Sequence, residues 1–184
     1  MKIIYSLFIV ILLVSCKGST EAPVKVAPSH QKSHEGNTSS SDLNQTSSNS
    51  EVTFSEQKYE MLYKAYLNVK AALVNTDATV AQNEAEALDK LLGVIKVSDN
   101  IKEAVKVITV EADVKKQRVA FETVSQELEE VFSKELTSGT IYKQYCPMAF
   151  NGKGAYWLSD SKEIRNPYFG DQMLKCGLVE EEIE

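Results

Sequence analysis

The chain has 184 residues, 43% of them hydrophobic and 25% charged, which suits one domain with appendages rather than two full domains. Its formal net charge is −6 and no run of Lys or Arg exceeds two residues, so it offers no electrostatic footprint for nucleic acid. No Cys-x-x-Cys, no Cys-x-x-Cys-His and no P-loop spacing occurs, which removes thioredoxin-like redox chemistry, c-type haem attachment and phosphate-loop nucleotide binding.

The first sixteen residues read as an address rather than as fold. Lys2 supplies a positive start, and Ile3 to Val14 form an apolar stretch too short to span a bilayer as a mature helix. Leu13-Val14-Ser15-Cys16 resembles the bacterial lipobox, which implies cleavage before Cys16 and lipidation of its sulfur. Lys17 follows, rather than the aspartate linked with inner-membrane retention in some bacteria. The expected location is therefore the outer membrane, lipid-anchored and facing the periplasm.

Residues 17–54 read as a disordered Ser/Asn-rich tether, because they hold too few large apolar side chains to offset the entropy of ordering. His30 and His34 stand four apart, a spacing that would share one face of a helix and hold a metal ion. Nothing around them favours a helix, and they are read as solvated linker residues.

Between Ser55 and Leu136 there is no proline, and Gly93 is the only glycine. Helices joined by short turns are expected. Tyr59, Leu62, Tyr66, Val69 and Leu73 recur at spacings of 3, 4, 3 and 4, a heptad-like stripe. Asn75-Thr76-Asp77 breaks it with turn and N-cap residues. A second helix is expected from Ala78 to Ile95 with Ala81, Ala85, Leu88, Leu92 and Ile95 inward. Ser98-Asp99 reads as the next cap, before a short stripe of Ile101, Val105 and Ile108. A break near Val110–Asp113, capped by Asp113, precedes a last helix that buries Phe121, Val124, Leu128 and Val131. The paired charges Lys115-Lys116 and Glu129-Glu130 read as solvated faces.

Residues 139–177 hold five of the eight glycines, Pro147, Pro167, seven aromatics including the only Trp, and two of the three cysteines. The segment AFNGKGAYWL predicts a β-hairpin turning around Asn151-Gly152 and Gly154. Asn166-Pro167 marks a turn, Asp171 is expected to cap a last helical turn closed by Gly177, and the acidic end EEEIE reads as a frayed tail. The expected fold class is thus mainly α. An antiparallel three- or four-helix bundle over 55–138 is followed by a small Gly- and aromatic-rich module over 139–184, with a β-hairpin, packed on the bundle.

Four sulfurs fall in that module. Cys146 and Met148 face the same way if the chain is extended, and Met173 and Cys176 do so on a helical turn. Three readings stand at this point, the plainest being two unpaired buried thiols. A chain outside the cytoplasm, with Cys16 lipidated, leaves an even pair for one Cys146–Cys176 disulfide, the methionines then filling core gaps. Alternatively, two thiolates and two thioethers make a soft site that selects Cu(I), or Ag(I), over harder ions, with Trp157 and Tyr145 as shields. No acid/base pair or nucleophile set can be assembled, so the chain is not expected to be an enzyme.

The run YCPMAFNGKGAYWLSDSKEIRNPYFGDQMLKCG, together with RVAFETVSQEL in the helical half, resembles a bacterial domain of unknown function numbered 3347. The resemblance covers approximately residues 55–178. Members of that family include secreted or lipidated single-domain proteins and domains fused to periplasmic adaptor subunits of heavy-metal efflux systems. The resemblance implies copper or silver handling, efflux components as partners, and Cys146, Met148, Met173 and Cys176 at the family's sulfur positions. Many members carry a histidine in the helical half; this chain has none after His34.

Overall fold

The computed structural model describes residues 41–184. The expected signal peptide over 1–16, Cys16, the His30/His34 pair and the tether as far as residue 40 lie outside the described residues.

Four helices form the bundle: α1 (Gln57–Val74), α2 (Ala78–Leu92), α3 (Asp99–Val110) and α4 (Val114–Glu135). Three of the four starts, those of α2, α3 and α4, follow from cap chemistry. The side chains of Asp77, Ser98 and Asp113 accept hydrogen bonds from the backbone N–H of Val80, Ile101 and Lys115, satisfying donors that a helix leaves free at its first turn. The stripes expected from spacing turn inward, with Tyr59 and Val131 only half-buried at their ends. Leu62, Tyr66, Val69, Leu73, Ala81, Ala85, Leu88, Ile101, Val105, Ile108, Phe121, Val124 and Leu128 are fully buried. Each large aliphatic among them contributes about 1.5–3 kcal/mol of transfer free energy. On α4 the stripe shifts by one at its end, where Phe132 is buried and Val131 only partly so. Phe132 is claimed by an aromatic cluster with Phe54, Tyr63 and Tyr66. Each helix packs on the next and α1 also meets α4, the up-and-down arrangement that short connections impose.

The chain before α1 differs from expectation. Residues 41–54 were expected as tether, yet they run along the domain and pair at its end, where β1 (Thr53–Phe54) lies antiparallel to β2 (Leu136–Ser138). The Leu43 N–H donates to Asn75 Oδ1 at 2.8 Å, the Ser47 N–H to Glu163 Oε1 at 2.7 Å, and the Ser50 N–H to the Asp160 carbonyl at 2.6 Å. Low hydrophobicity misled because this stretch is held by hydrogen bonds to the domain rather than by its own apolar area.

The C-terminal module is a three-stranded antiparallel sheet of β3 (Ile141–Cys146), β4 (Ala155–Ser159) and β5 (Leu178–Ile183), with β3 in the centre. A hairpin is present as expected, but its first strand is IYKQYC rather than AF. Ala149–Gly152 forms the connecting turn, with Phe150 and Asn151 both at positive φ. The acidic tail, expected to fray, is β5. Its backbone pairs with β3 from Ile141–Ile183 to Tyr145–Leu178, and Ile183 is buried at its end. Repulsion among the glutamates is offset by Lys143, 3.9 Å from Glu181, and Lys162, 2.9 Å from Glu182.

Candidate metal centre

The β3–β4 register pairs Cys146 with Ala155 and Gln144 with Trp157. Residues directly opposite one another share a face, and alternate residues along a strand do too, so Cys146 and Trp157 lie on one face and Tyr145 on the other. Trp157 therefore flanks the cysteine, whereas the expected shielding role of Tyr145 does not fit the register.

On the other side, Tyr145 pairs with Leu178, which brings Gly177 and Cys176 beside Cys146. The two sulfurs are in contact, Sγ to Sγ 2.7 Å, although the residues stand thirty apart in sequence. Cys146 is buried and Cys176 half-buried, both as free thiols. Gly177 makes this approach possible. A Cβ on it would come within 2.9 Å of the Tyr145 carbonyl and 3.0 Å of the Trp157 ring, and its φ of 147° disfavours any other residue. The turn that carries Cys176 is pinned by Asn166, which is fully buried. Asn166 Oδ1 accepts from the N–H groups of Tyr168 (2.8 Å) and Phe169 (3.3 Å), and its Nδ2 donates to the Cys176 carbonyl at 2.8 Å. The sequence marks Asn166 as a turn residue; its hold on Cys176 becomes visible only in three dimensions.

The two methionines stand differently. Directly after Pro147 the backbone leaves the extended conformation, with Met148 at φ −85°, ψ −12°. The expectation that an extended chain would turn Cys146 and Met148 to one side is therefore not met: Cys146 is fully buried and Met148 is 55% exposed. Only its backbone N–H acts on the pair, lowering the Cys176 pKa. Met173 closes a short 3₁₀ turn, Gly170–Met173, and its carbonyl accepts from the Cys176 N–H at 3.0 Å. This is the i, i+3 neighbourhood expected from sequence. Asp171, expected to cap that turn, makes no cap hydrogen bond; Phe169 occupies the cap position.

The Cys176 thiol is pushed up to about 11, first by its hydrogen bond with Cys146, then by burial and the charge on Cys146, with the Met148 N–H working in the opposite direction. Two thiols in contact cannot both ionise cheaply, so a cation that replaces their protons relieves the strain. Seating an ion requires some opening. Metal–sulfur bonds of about 2.3 Å at a tetrahedral angle hold two sulfurs about 3.7 Å apart, so the contact must widen by about 1 Å. Cys176 lies on a turn and can move by that amount, whereas Cys146 is fixed in the central strand. Two thiols so placed can take a soft ion only after that local opening. Among the described residues, no group of three or more His, Cys, Asp or Glu side chains converges.

A buried charge went unseen in the sequence. Lys70 is 2% exposed within α1, and its Nζ donates to Ser159 Oγ of β4 at 3.1 Å. Burial lowers its pKa to about 8; the Asp160 carboxylate partly offsets this and the Arg165 guanidinium adds to it. The signal was present, since Lys70 stands between Tyr66 and Leu73 at helical spacing, on the inward stripe.

Residues 62–139 match a family described as "Protein of unknown function (DUF3347)". Through this stretch the chain is similar to that family. The DUF3347 match ends at Gly139, so it rests on the helices, and the sulfur-bearing run from Tyr145 to Gly177 lies beyond it. No curated protein and no solved structure matches the chain significantly. Among the described residues no helix is long and apolar enough to cross a membrane.

Proposed function

We propose that this protein binds a soft monovalent ion, Cu(I) or Ag(I), through the thiolates of Cys146 and Cys176, with the thioethers of Met148 and Met173 as further donors. The observation that carries the reading is the meeting of two thiols thirty residues apart, with an exposed methionine two residues after the first of them. Sulfur donors without hard oxygen or nitrogen partners favour Cu(I) over zinc or calcium. Anchored through a lipidated Cys16 in the outer membrane and facing the periplasm, such a chain would capture the ion for efflux or homeostasis beside heavy-metal efflux components. It is a binding module, not a catalyst.

The test is competition between the fully reduced chain and a chromophoric Cu(I) chelator. Uptake of one ion per chain is expected, and failure to compete would sink the metal reading. Met148→Ile keeps volume and exposure while removing the thioether, so it should weaken binding by about 10-fold with unfolding unchanged. Unaltered affinity would remove Met148 from the ligand set.

The same 2.7 Å contact favours a second reading, in which Cys146 and Cys176 form a disulfide that staples the module and no metal is involved. Thiol counting on protein purified from the periplasm, without reductant, tests it: two free thiols at these positions would exclude the staple.

A further inference from the structure

We infer that the Cys146–Cys176 pair is a redox gate, with a thiol state that takes the soft ion and a disulfide state that refuses it. The inference rests on the metal reading above and adds its regulation.

The two sulfurs are close enough for either state to form by a small displacement. A disulfide needs its sulfurs about 2.05 Å apart, which the 2.7 Å contact reaches by closing about 0.7 Å, whereas the ion needs about 1 Å of opening. Both displacements fall to Cys176, on its turn between Met173 and Gly177, while Cys146 stays fixed in β3. Gly177 keeps the turn close enough for closure, since any side chain there would push it off Tyr145 and Trp157. The two states exclude each other chemically, because a sulfur bonded to sulfur has no thiolate to offer the metal.

Access sets the order of events. Cys176 is half-buried and Cys146 is fully buried, so an external disulfide meets Cys176 first. The Cys176 thiolate attacks that disulfide, forming a mixed disulfide and expelling one external thiolate. Cys146 then loses its proton and attacks the Cys176 sulfur, expelling the second. The protein's two thiols are oxidised by two electrons and one external disulfide is reduced to two thiols. Closure therefore needs no oxidant beyond a small or protein disulfide. A bound Cu(I) blocks the first attack, because the Cys176 lone pairs are engaged with the metal.

The experiment uses the full chain carrying Cys16→Ser, so that only this pair reports. The reduced chain and a chain equilibrated with oxidised glutathione, each freed of small thiols, are titrated with Cu(I) against the chelator. Oxidation should remove both thiols and lower Cu(I) affinity by about 100-fold or more, because both soft thiolates are lost. Dithiothreitol treatment followed by its removal should restore binding. Preloading with Cu(I) should slow thiol loss by about 10-fold or more, because the metal competes with the external disulfide for the Cys176 sulfur. The fluorescence of Trp157, whose ring lies beside Gly177, should differ between the two states. Cys176→Ser, at the more exposed position, should abolish the fluorescence response while leaving the helical signal intact. An oxidised chain that binds Cu(I) as tightly as the reduced one, or a pair that stays reduced in oxidised glutathione, overturns the gate and leaves the metal reading standing. A reduced chain that does not bind Cu(I) overturns both.

Discussion

The bundle and the C-terminal module are held together by different means. In the bundle, apolar stripes pack against one another, and any one contact is a small share of a continuous core. In the module, single hydrogen bonds decide position. Gln144 is buried in the central strand, with its Nε2 donating to the Ser161 carbonyl at 2.7 Å, and Asn166 fixes the turn of Cys176. The seam between the two regions combines both patterns: Trp157, Leu158 and Tyr168 join the apolar core of the helices, and directional bonds cross beside them. Arg118 donates to the Pro167 carbonyl, Lys70 to Ser159, and Tyr66 accepts from the Leu158 N–H while bonded to Ser125. Apolar area fixes that the helices pack; directional bonds fix where a strand and a sulfur sit. A site that needs its sulfurs placed to within an ångström belongs in the second kind of structure.

The largest expected effect separates the two regions. Leu88 is fully buried in α2, distant in sequence from the module. Leu88→Ala should cost about 3–5 kcal/mol of stability, the transfer term plus the cavity left behind. Urea unfolding measures this cost, and Cu(I) affinity of the folded fraction should not change. A parallel loss of affinity would show that the bundle and the site are one energetic unit, and the contrast would fall.

The bundle was legible because helical burial has a period, and each stripe from Tyr59 to Leu128 is written in it. Its caps were legible too, since Asp77, Ser98 and Asp113 carry the oxygen that a helix start requires. The module has no comparable period. Its central strand, IYKQYC, points a glutamine inward beside a cysteine, which alternation of apolar and polar residues reads backwards. The strand β5 was hidden by its three glutamates, Glu180 to Glu182, whose side chains face solvent while the strand's backbone pairs with β3. Residues 41–54 were hidden for a related reason, since their partners lie more than thirty residues away. The sulfurs themselves were found, because Cys and Met are scarce enough for a local cluster to stand out. That Cys146 touches Cys176, with Met148 outside rather than beside it, depended on the β3–β5 register, which sequence spacing does not carry.

The buried ammonium in the seam gives the next effect. The pKa of Lys70 in the folded chain is about 8, below its usual 10.5, so the unfolded chain binds more protons between these values. Stability should then rise as pH increases from about 8 towards 10, by up to about 3 kcal/mol in total. Above about pH 10 the trend should reverse, because burial holds the Tyr63, Tyr66 and Tyr168 phenols neutral in the fold while unfolded tyrosines ionise. Chemical unfolding across this range checks the sign. Lys70→Met should stabilise the chain at pH 7 and flatten the rise; a flat profile in the parent chain would show that the ammonium is solvated where it stands.

The smallest change in stability should carry the sharpest information about the site. Asn166→Ala leaves the N–H groups of Tyr168 and Phe169 and the Cys176 carbonyl without their partner, a loss of about 1–3 kcal/mol. Stability alone cannot distinguish a turn residue from one that positions a ligand. Asn166→Asp can. It keeps the oxygen that accepts from Tyr168 and Phe169, but replaces the amide that holds Cys176 with an oxygen facing a carbonyl. The loop at 166–169 should survive and the turn at 173–176 should loosen. Cu(I) affinity should then fall about as far in the Asp variant as in the Ala variant, by about 10-fold, as for a residue that orients a ligand from behind it. If Asp restores both stability and affinity, Asn166 shapes only its own turn, and Cys176 is placed by Gly177 and the β3–β5 register alone.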